Sequence, residues 1–195
     1  MDVVDFNIQR LGLWLRYNLK SAISENEWEA LRVETLPELT GPLYVGIKYG
    51  KDGANVAMSI AVRTANDKIF VEAIDCRSVR EGNAWILAFL SKADWKTVVI
   101  DGSNGQDILE SEIRDSRLRP PVLPKVREVV TAASLFEQKL FQGDICHMGQ
   151  PSLTQVVSNC EHRLIGTNGG FGYRCLVEDY DIALLESVFL GQHIS

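Results

Sequence analysis

Three short apolar segments joined by tight turns constrain the fold of this sequence more than any other feature. The segments cover residues 43–50, 55–64 and 68–77. The turn between the first two contains Asp52-Gly53, and Asp-Gly between apolar runs is a strong signal for a β-hairpin. Three consecutive strands with short turns form an antiparallel meander. The sequence therefore predicts an antiparallel sheet that begins near Leu43.

Helical and strand-like segments alternate after this meander. Residues 96–102 form an apolar run with an acid at its end, which is typical of a buried parallel strand. The remaining segments are predicted helices at 83–92, 105–116, 127–141, 152–162 and 181–193, and a hairpin at 163–175. This order is the one found in RNase H-like domains. We therefore predict an α/β fold with an RNase H-like mixed sheet, in which an antiparallel meander of three strands and further parallel strands are flanked by helices.

The first 42 residues differ in character from the rest of the chain. Ser24 and Glu27 form a capping-box pattern at the start of a short helix. Residues 35–42 contain two prolines and a glycine, which is typical of a linker. We therefore predict a linker segment over residues 1–42 and a folded domain over residues 43–195.

Length and composition exclude several classes of protein. The 195 residues, 46% of them hydrophobic, fit one globular domain that needs neither a disulfide nor a metal to fold. No apolar run is long enough to span a membrane, and the N-terminus lacks the pattern of a secretory signal. The four cysteines contain no C-x-x-C pair, so their spacing favours reduced thiols over a zinc site.

Charge is unevenly distributed along the chain. The net charge of −6 argues against a general nucleic-acid coat or a membrane-surface protein. Residues 114–127 nevertheless carry +4, whereas residues 176–195 carry −4. Such a basic run is either a solvated face or a surface that contacts backbone phosphates without regard to base sequence. In the second interpretation the phosphate contacts come from Arg114, Arg117, Arg119, Lys125 and Arg127.

Acidic residues occupy the positions at which two-metal nucleases place their ligands. Mg²⁺ and Mn²⁺ prefer hard oxygen ligands, and two ions about 3.5–4 Å apart share a bridging carboxylate. Asp101 ends the predicted strand at 96–102, and Asp181 opens the last helix with Asp179 two residues before it. The ends of buried strands are where α/β folds place functional groups. These acids are predicted metal ligands, and the structural alternatives are a turn acid for Asp101 and a helix cap for Asp181.

Five motifs, in order along most of the chain, resemble the C-terminal nuclease domain of the large terminase subunit of tailed bacteriophages. They are FNIQRLGLWL with Trp28, LYVGIKYG with the Asp-Gly hairpin, VVIDGSNGQ, ICHMGQPSLTQVVSNCEHRLIGTNGGFGY and DYDIALLESVFLG. The resemblance places one acid of the family's site on Asp101 and another on Asp181. It implies a metal-dependent endonuclease that cuts concatemeric viral DNA during genome packaging.

The resemblance also implies a mechanism and a set of partners. A water activated by Mg²⁺ or Mn²⁺ attacks a DNA phosphodiester in line, and the ion stabilises the leaving oxygen. The implied partners are double-stranded DNA, the terminase ATPase domain, the small terminase subunit and the portal protein, in the host cytoplasm. Since the sequence has no G-x-x-x-x-G-K-[ST] pattern, we expect the ATPase domain to be missing and the chain to be an excised fragment.

The first strand departs from the family pattern. Where the family has Gly-x-Asp, this sequence has Gly46-x-Lys48, so a lysine stands where a metal-bridging aspartate is expected. In one explanation a nearby acid replaces the missing ligand, with Asp52 the first candidate and Glu72 or Asp75 after it. In a second, Lys48 replaces one ion and neutralises the scissile phosphate as a point charge. In a third, the domain is a weak nuclease or needs its partners. We expect reduced or single-metal activity.

Other interpretations stay open at this stage. His147, between a predicted strand and a helix, is either a polar loop residue or a group that lies near phosphate or metal. The chain is alternatively an RNase H-like nuclease of resolvase or integrase type, which would share the acids but not the N-terminal segment. A catalytically inactive module that docks DNA or the portal protein is a further alternative, for which Lys48 is the main argument. Such a module should show no divalent-ion site.

Overall fold

The computed structural model describes residues 21–178 and 180–193. The FNIQRLGLWL motif and Asp179 lie outside the described residues, so the roles predicted for them stay predictions. All four cysteines are free thiols. In the part of the chain that is described, no helix has the length and apolar character needed to cross a membrane.

A five-stranded mixed sheet forms the centre of the fold. Its strands are β1 (Leu39–Tyr49), β2 (Asn55–Thr64), β3 (Ile69–Ser78), β4 (Trp95–Asp101) and β5 (Ile145–Cys146). The order across the sheet is β4-β1-β2-β3-β5, in which β1, β2 and β3 are antiparallel, β4 is parallel to β1, and β5 is parallel to β3. Beyond β4, Val122 forms a parallel bridge with Val99. The predicted meander with added parallel strands is confirmed.

The first strand begins earlier than the sequence predicts. β1 starts at Leu39, which pairs with Thr64, instead of near Leu43. Pro42 lies inside this strand although proline has no N–H for a sheet hydrogen bond. The pairing register shifts between Leu39 and Leu43, and an irregularity of this kind is where strands tolerate proline.

Six helices and a separate hairpin surround the sheet in the described chain. The helices are α1 (Glu25–Glu29), α2 (Ala84–Lys92), α3 (Gln106–Asp115), α4 (Val126–Gln142), α5 (Pro151–Val157) and α6 (Ala183–His193), and the hairpin consists of β6 (Cys160–Ile165) and β7 (Gly170–Cys175). The helix predicted over 152–162 is therefore wrong at its end. It stops at Val157, because residues 160–165 pair with β7 in a hairpin, and this pairing outweighs a weak local helix signal.

Residues that precede β1 pack against the domain. The predicted capping box is present: Ser24 Oγ accepts a hydrogen bond from the Glu27 N–H, and the Glu27 carboxylate accepts one from the Ser24 N–H. In α1, Trp28 is fully buried and donates from Nε1 to Thr154 Oγ1 at 3.1 Å. The described part of residues 1–42 thus contributes to the core, while the division at residue 42 stays a prediction.

The two faces of the sheet bury different sets of residues, because side chains alternate along a strand. Val45, Ile47 and Tyr49 of β1 pack with the apolar sides of α2 and α3. On the opposite face, Gly46 lies against α6, and Lys48 is directed toward the same helix. The second face therefore brings polar positions of β1 next to α6.

Helix α6 lies directly on β1 at Gly46. A Cβ atom at this position would lie 2.0 Å from the carbonyl oxygen of Ser187 and 2.6 Å from the amide nitrogen of Gly191. The buried hydroxyls of Ser59 and Ser187 also form a hydrogen bond of 2.6 Å between β2 and α6. These contacts fix the position of α6 across the sheet. They thereby also fix the position of Glu186, the residue before Ser187.

We expect Gly46→Ala to lower the free energy of unfolding by about 3 kcal/mol or more, because the new methyl group would collide with helix backbone. Gly166→Ala is the control: Gly166 has a φ of 69° in the turn between β6 and β7, and nothing lies within 4 Å of the place that its new methyl group would take. That change should cost only about 1 kcal/mol. Urea denaturation followed by circular dichroism measures both, and equal losses would contradict the close packing of α6 on β1.

Candidate functional site

A lysine and an aspartate lie side by side at the ends of β1 and β4. Lys48 and Asp101 are partners in the parallel register of the two strands. The Lys48 ammonium donates a hydrogen bond to Asp101 Oδ2 in a direct ion pair. Because Lys48 is only 7% exposed, this pair is largely removed from water.

A third charged group reaches this pair from α6. Glu186 Oε2 lies 3.5 Å from Lys48 Nζ, and Glu186 is 4% exposed. Burial disfavours the charged form of a carboxyl and raises the pKa of Glu186, while the Lys48 ammonium opposes this rise. Lys48, Asp101 and Glu186 are called the charged triad below.

The charged triad forms the floor of an open cleft, called the triad cleft below. The rim comes from three separate parts of the chain. They are the turn between β1 and β2, the residue before α4, and β6, which contribute Lys51, Lys125 and Arg163 respectively. Four cationic side chains therefore surround two carboxylates. A concave surface with this excess of positive charge attracts anions such as phosphate.

Asp52 and Asp181 line a second depression, called the acidic depression, beside the triad cleft. The two depressions share Gly50 and Lys51. Asp181 Oδ1 accepts a hydrogen bond of 2.9 Å from the N–H of Ala183, so it caps the start of α6. Asp52 Oδ1 accepts a hydrogen bond of 3.0 Å from the N–H of Ala54 in the same turn. Both acids thus have local structural partners.

Two cysteines lie next to Asp181. Cys76 Sγ is 3.7 Å from Asp181 Oδ2, and Cys175 lines the acidic depression. Burial, with the nearby charge of Asp181, raises the pKa of Cys76 and of Cys175 to about 12. Both therefore stay protonated near neutral pH, which does not favour a thiolate nucleophile at this position.

The described residues do not fit the divalent-metal site that the sequence predicts. Mg²⁺ and Mn²⁺ need several oxygen ligands around one point, and residues 21–178 and 180–193 contain no group of three acidic, histidine or cysteine side chains that is suited to a metal. Asp101 and Glu186 converge, but both contact the ammonium of Lys48, which would repel a divalent ion.

The predicted metal ligands are separated in the structure. Asp101 belongs to the triad cleft, whereas Asp52 and Asp181 belong to the acidic depression. Of the two other acids considered as replacements, Asp75 pairs with a neighbouring arginine on β3 at 2.7 Å, and neither it nor Glu72 lines the triad cleft.

Of the five basic residues predicted to contact phosphates, the structure brings only Lys125 to the triad cleft. Arg119 stacks on the ring of Trp95 at 4.5 Å and donates a hydrogen bond to the Trp95 carbonyl oxygen. This arginine therefore has a packing role. The remaining three are exposed, and their phosphate contacts stay predictions: Arg114, Arg117 and Arg127.

His147 packs in the interior, away from the triad cleft. Its ring stacks on Trp28, with ring centroids 3.9 Å apart. Nδ1 accepts a hydrogen bond from the N–H of Gly149 at 2.9 Å, so Nε2 carries the proton and donates to the Trp28 carbonyl oxygen at 2.8 Å. Both ring nitrogens are engaged and the residue is 1% exposed. This arrangement gives no support to the predicted phosphate contact of His147.

Sequence reasoning missed three residues of the triad cleft. Glu186 had an available signal, because it stands alone in the apolar stretch ALLESVFLG and a buried acid needs a partner. Lys51 and Arg163 offered no local signal. They reach the cleft only because the first hairpin turn and β6 meet at this edge of the sheet.

Comparison with known proteins identifies the fold. No protein-family model matches the sequence, and no curated protein sequence is similar to it. Among solved structures, the chain matches the large terminase of bacteriophage HK97 with a TM-score of 0.69 and 15% identity, over 89% of this chain and 43% of that chain. It matches the large terminase nuclease of thermophilic phage G20c with bound magnesium with a TM-score of 0.60 and 14% identity, over 88% of this chain and 97% of that one.

A mutant nuclease domain of the large terminase subunit of bacterial virus Sf6, with manganese, matches with a TM-score of 0.56 and 12% identity, over 89% of this chain and 98% of that one. The chain thus spans less than half of the HK97 protein and nearly all of the two nuclease domains. These matches show that it has the fold of terminase nuclease domains, with an RNase H-like mixed sheet flanked by helices.

We expect Lys48→Met to lower the free energy of unfolding by about 3–5 kcal/mol near neutral pH, because it leaves the buried Glu186 and the partly exposed Asp101 without their cation. The double variant Lys48→Met/Glu186→Gln should recover part of this loss, since it removes one of those charges. Urea unfolding of the wild type, both single variants and the double variant measures the coupling. If the double variant lost as much stability as the two single variants together, the coupling between Lys48 and Glu186 would be contradicted.

Stability should also depend on pH through His147. Burial lowers the pKa of this histidine below its ordinary value of 6.5, although the hydrogen bond to Trp28 opposes the effect. The unfolded chain then binds the proton more readily than the folded chain. The contribution of the neutral His147 ring to the free energy of unfolding is therefore complete above pH 6.5 and is lost as the pH falls below it. Between about pH 7.5 and pH 5 the wild type should lose more stability than His147→Gln in urea unfolding. Identical losses would contradict a buried neutral ring.

Proposed function

We propose that this chain acts on double-stranded DNA as the nuclease domain of a large terminase subunit, and that its divalent-metal-dependent cleavage of phosphodiesters is weak. The fold it shares with terminase nucleases supports the first part. The observation that carries the second is the ion pair of Lys48 with Asp101, reinforced by Glu186, at the end of the central parallel strands.

The chemistry of lysine explains why cleavage would be weak. An ammonium offers a phosphate oxygen one compact positive charge. It does not lower the pKa of a bound water and so does not generate a hydroxide nucleophile, which is what a divalent ion does in nucleases. Lys48 also occupies the carboxylate oxygens of Asp101 and Glu186 that would otherwise hold such an ion.

The remaining parts of this proposal concern partners and place. A terminase nuclease would act beside an ATPase domain joined through the segment 1–42, with the small terminase subunit and the portal protein, in the host cytoplasm. Mg²⁺ or Mn²⁺ would be the ion for residual cleavage. Asp179 and Asp181, which lie just before α6 in the sequence, would be its further ligands.

One specific observation favours a second candidate, an inactive module that docks DNA or the portal protein. Lys48 contacts both carboxylates of the charged triad, so its ammonium lies where a divalent ion between them would bind. Calorimetric titration with Mn²⁺ separates the two functions. Heat of binding to the wild type favours the weak nuclease, whereas no binding together with no nicking favours the docking module.

Nicking of supercoiled plasmid in Mg²⁺ and in Mn²⁺ tests the proposed function. We expect slow nicking by the wild type and at least about tenfold faster nicking by Lys48→Asp, which adds a carboxylate and removes the repelling ammonium. Asp101→Ala should nick more slowly than the wild type. Circular dichroism shows whether each variant is folded.

The matched control for these variants is Asp94→Ala. Asp94 is exposed and stands immediately before β4, at the opposite end from Asp101, so its removal should leave nicking unchanged. If Asp101→Ala nicked plasmid as fast as the wild type, the proposed role of Asp101 in cleavage would be contradicted. Full activity of the wild type in Mg²⁺ would contradict the weakness ascribed to Lys48.

A further inference from the structure

Three elements that are distant in sequence bring basic side chains to the rim of the triad cleft. Lys51 comes from the first hairpin turn, Lys125 from the residue before α4, and Arg163 from the middle of β6. The guanidinium of Arg163 lies over β7, where a Cβ on Gly172 would be 3.5 Å from Nη2. The rim is therefore a product of the tertiary fold and not of the basic stretch 114–127.

The cations of the rim form no ion pair within the described residues. Neither Lys51 nor Arg163 has a described carboxylate within 4.0 Å, whereas Arg77 and Arg174 pair with acids at 2.7 Å and 2.5 Å. The two carboxylates on the cleft floor are already held by Lys48. An anion at the rim would thus meet Lys51 and Arg163 without displacing a carboxylate in direct contact with them.

Crowding of like charges at the rim adds to this imbalance. Burial lowers the pKa of Lys51 and the charge of Arg163 lowers it further, whereas the charge of Glu186 raises it and that of Lys48 lowers it. Arg163 and Lys48 thus repel the Lys51 ammonium, and a bound anion would relieve this repulsion. The N-terminal end of α4, a helix of 17 residues, adds a favourable field at Lys125 and Val126, which line the same cleft.

We propose that Lys51 and Arg163, assisted by Lys125, bind neighbouring phosphates of one DNA strand and hold that strand across the triad cleft. The inference rests on the proposed function, because it takes duplex DNA as the ligand. Contacts to phosphate position a duplex without reading its base sequence. Lys48 then lies below the held strand as the nearest cation on the cleft floor.

Equilibrium binding of the full chain to a short fluorescein-labelled DNA duplex tests this assignment, with anisotropy read at several salt concentrations in EDTA. Lys51→Gln and Arg163→Gln should each weaken binding about fivefold at low salt. The double variant should reduce the slope of log affinity against log salt concentration by about two units, since each lost phosphate contact removes about 0.9. Arg174→Gln is the matched control, because Arg174 lies on the same hairpin but pairs with Glu161.

Two results would overturn the assignment. In the first, the double variant binds within twofold of the wild type and with the same salt slope. In the second, Arg114→Gln/Arg117→Gln reduces the slope while the rim variants do not, which places DNA on the basic stretch 114–127.

The assay also separates this inference from the proposed function. If the wild type nicks plasmid and the rim variants bind DNA as well as the wild type does, only the assignment of DNA binding to the rim is contradicted. A wild type that neither binds the duplex nor nicks plasmid contradicts both.

Discussion

The buried ammonium of Lys48 is the interaction on which the rest of this site depends. Moving an ionised carboxylate out of water costs several kcal/mol, and the first turn of α6 places the buried Glu186 beside Lys48 and the partly exposed Asp101 at the end of β4. Without a cation between them, these carboxylates would repel each other in a medium of low polarity. Lys48 contacts both carboxylates and offsets one of their two negative charges, which reduces the repulsion between them.

Backbone packing positions this compensation. Gly46 has no side chain, so α6 can approach β1 until Ser187 nearly touches the strand. That approach sets Glu186, the preceding residue on the helix, within 3.5 Å of Lys48. A terminase-type sheet with a wider gap between β1 and α6 would leave the glutamate too distant to share the ammonium. The small residue and the charged one are therefore parts of the same arrangement, two positions apart on β1.

The sequence was informative where the signals were local. The meander, the parallel strand that ends at Asp101 and the lysine in place of an aspartate follow from alternation, turn chemistry and a family motif. Glu186, Lys51 and Arg163 were not found, because each joins the site through contacts between elements far apart in the chain. The end of the helix at Val157 was missed for a different reason, since hairpin pairing between the consecutive strands β6 and β7 outweighed helix propensity.

The net charge of −6 takes on a different meaning in the folded chain. Glu186 counts among the acids of residues 176–195, yet it is buried and lies 3.5 Å from Lys48, which offsets part of its charge. At physiological salt, exposed charges more than about 8 Å apart are largely screened. The acids on distant surfaces therefore oppose DNA only weakly, whereas Lys51, Lys125 and Arg163 act together at one cleft. An acidic protein can thus present a short-range positive site, and its hold on DNA would depend on a few rim cations instead of on total charge.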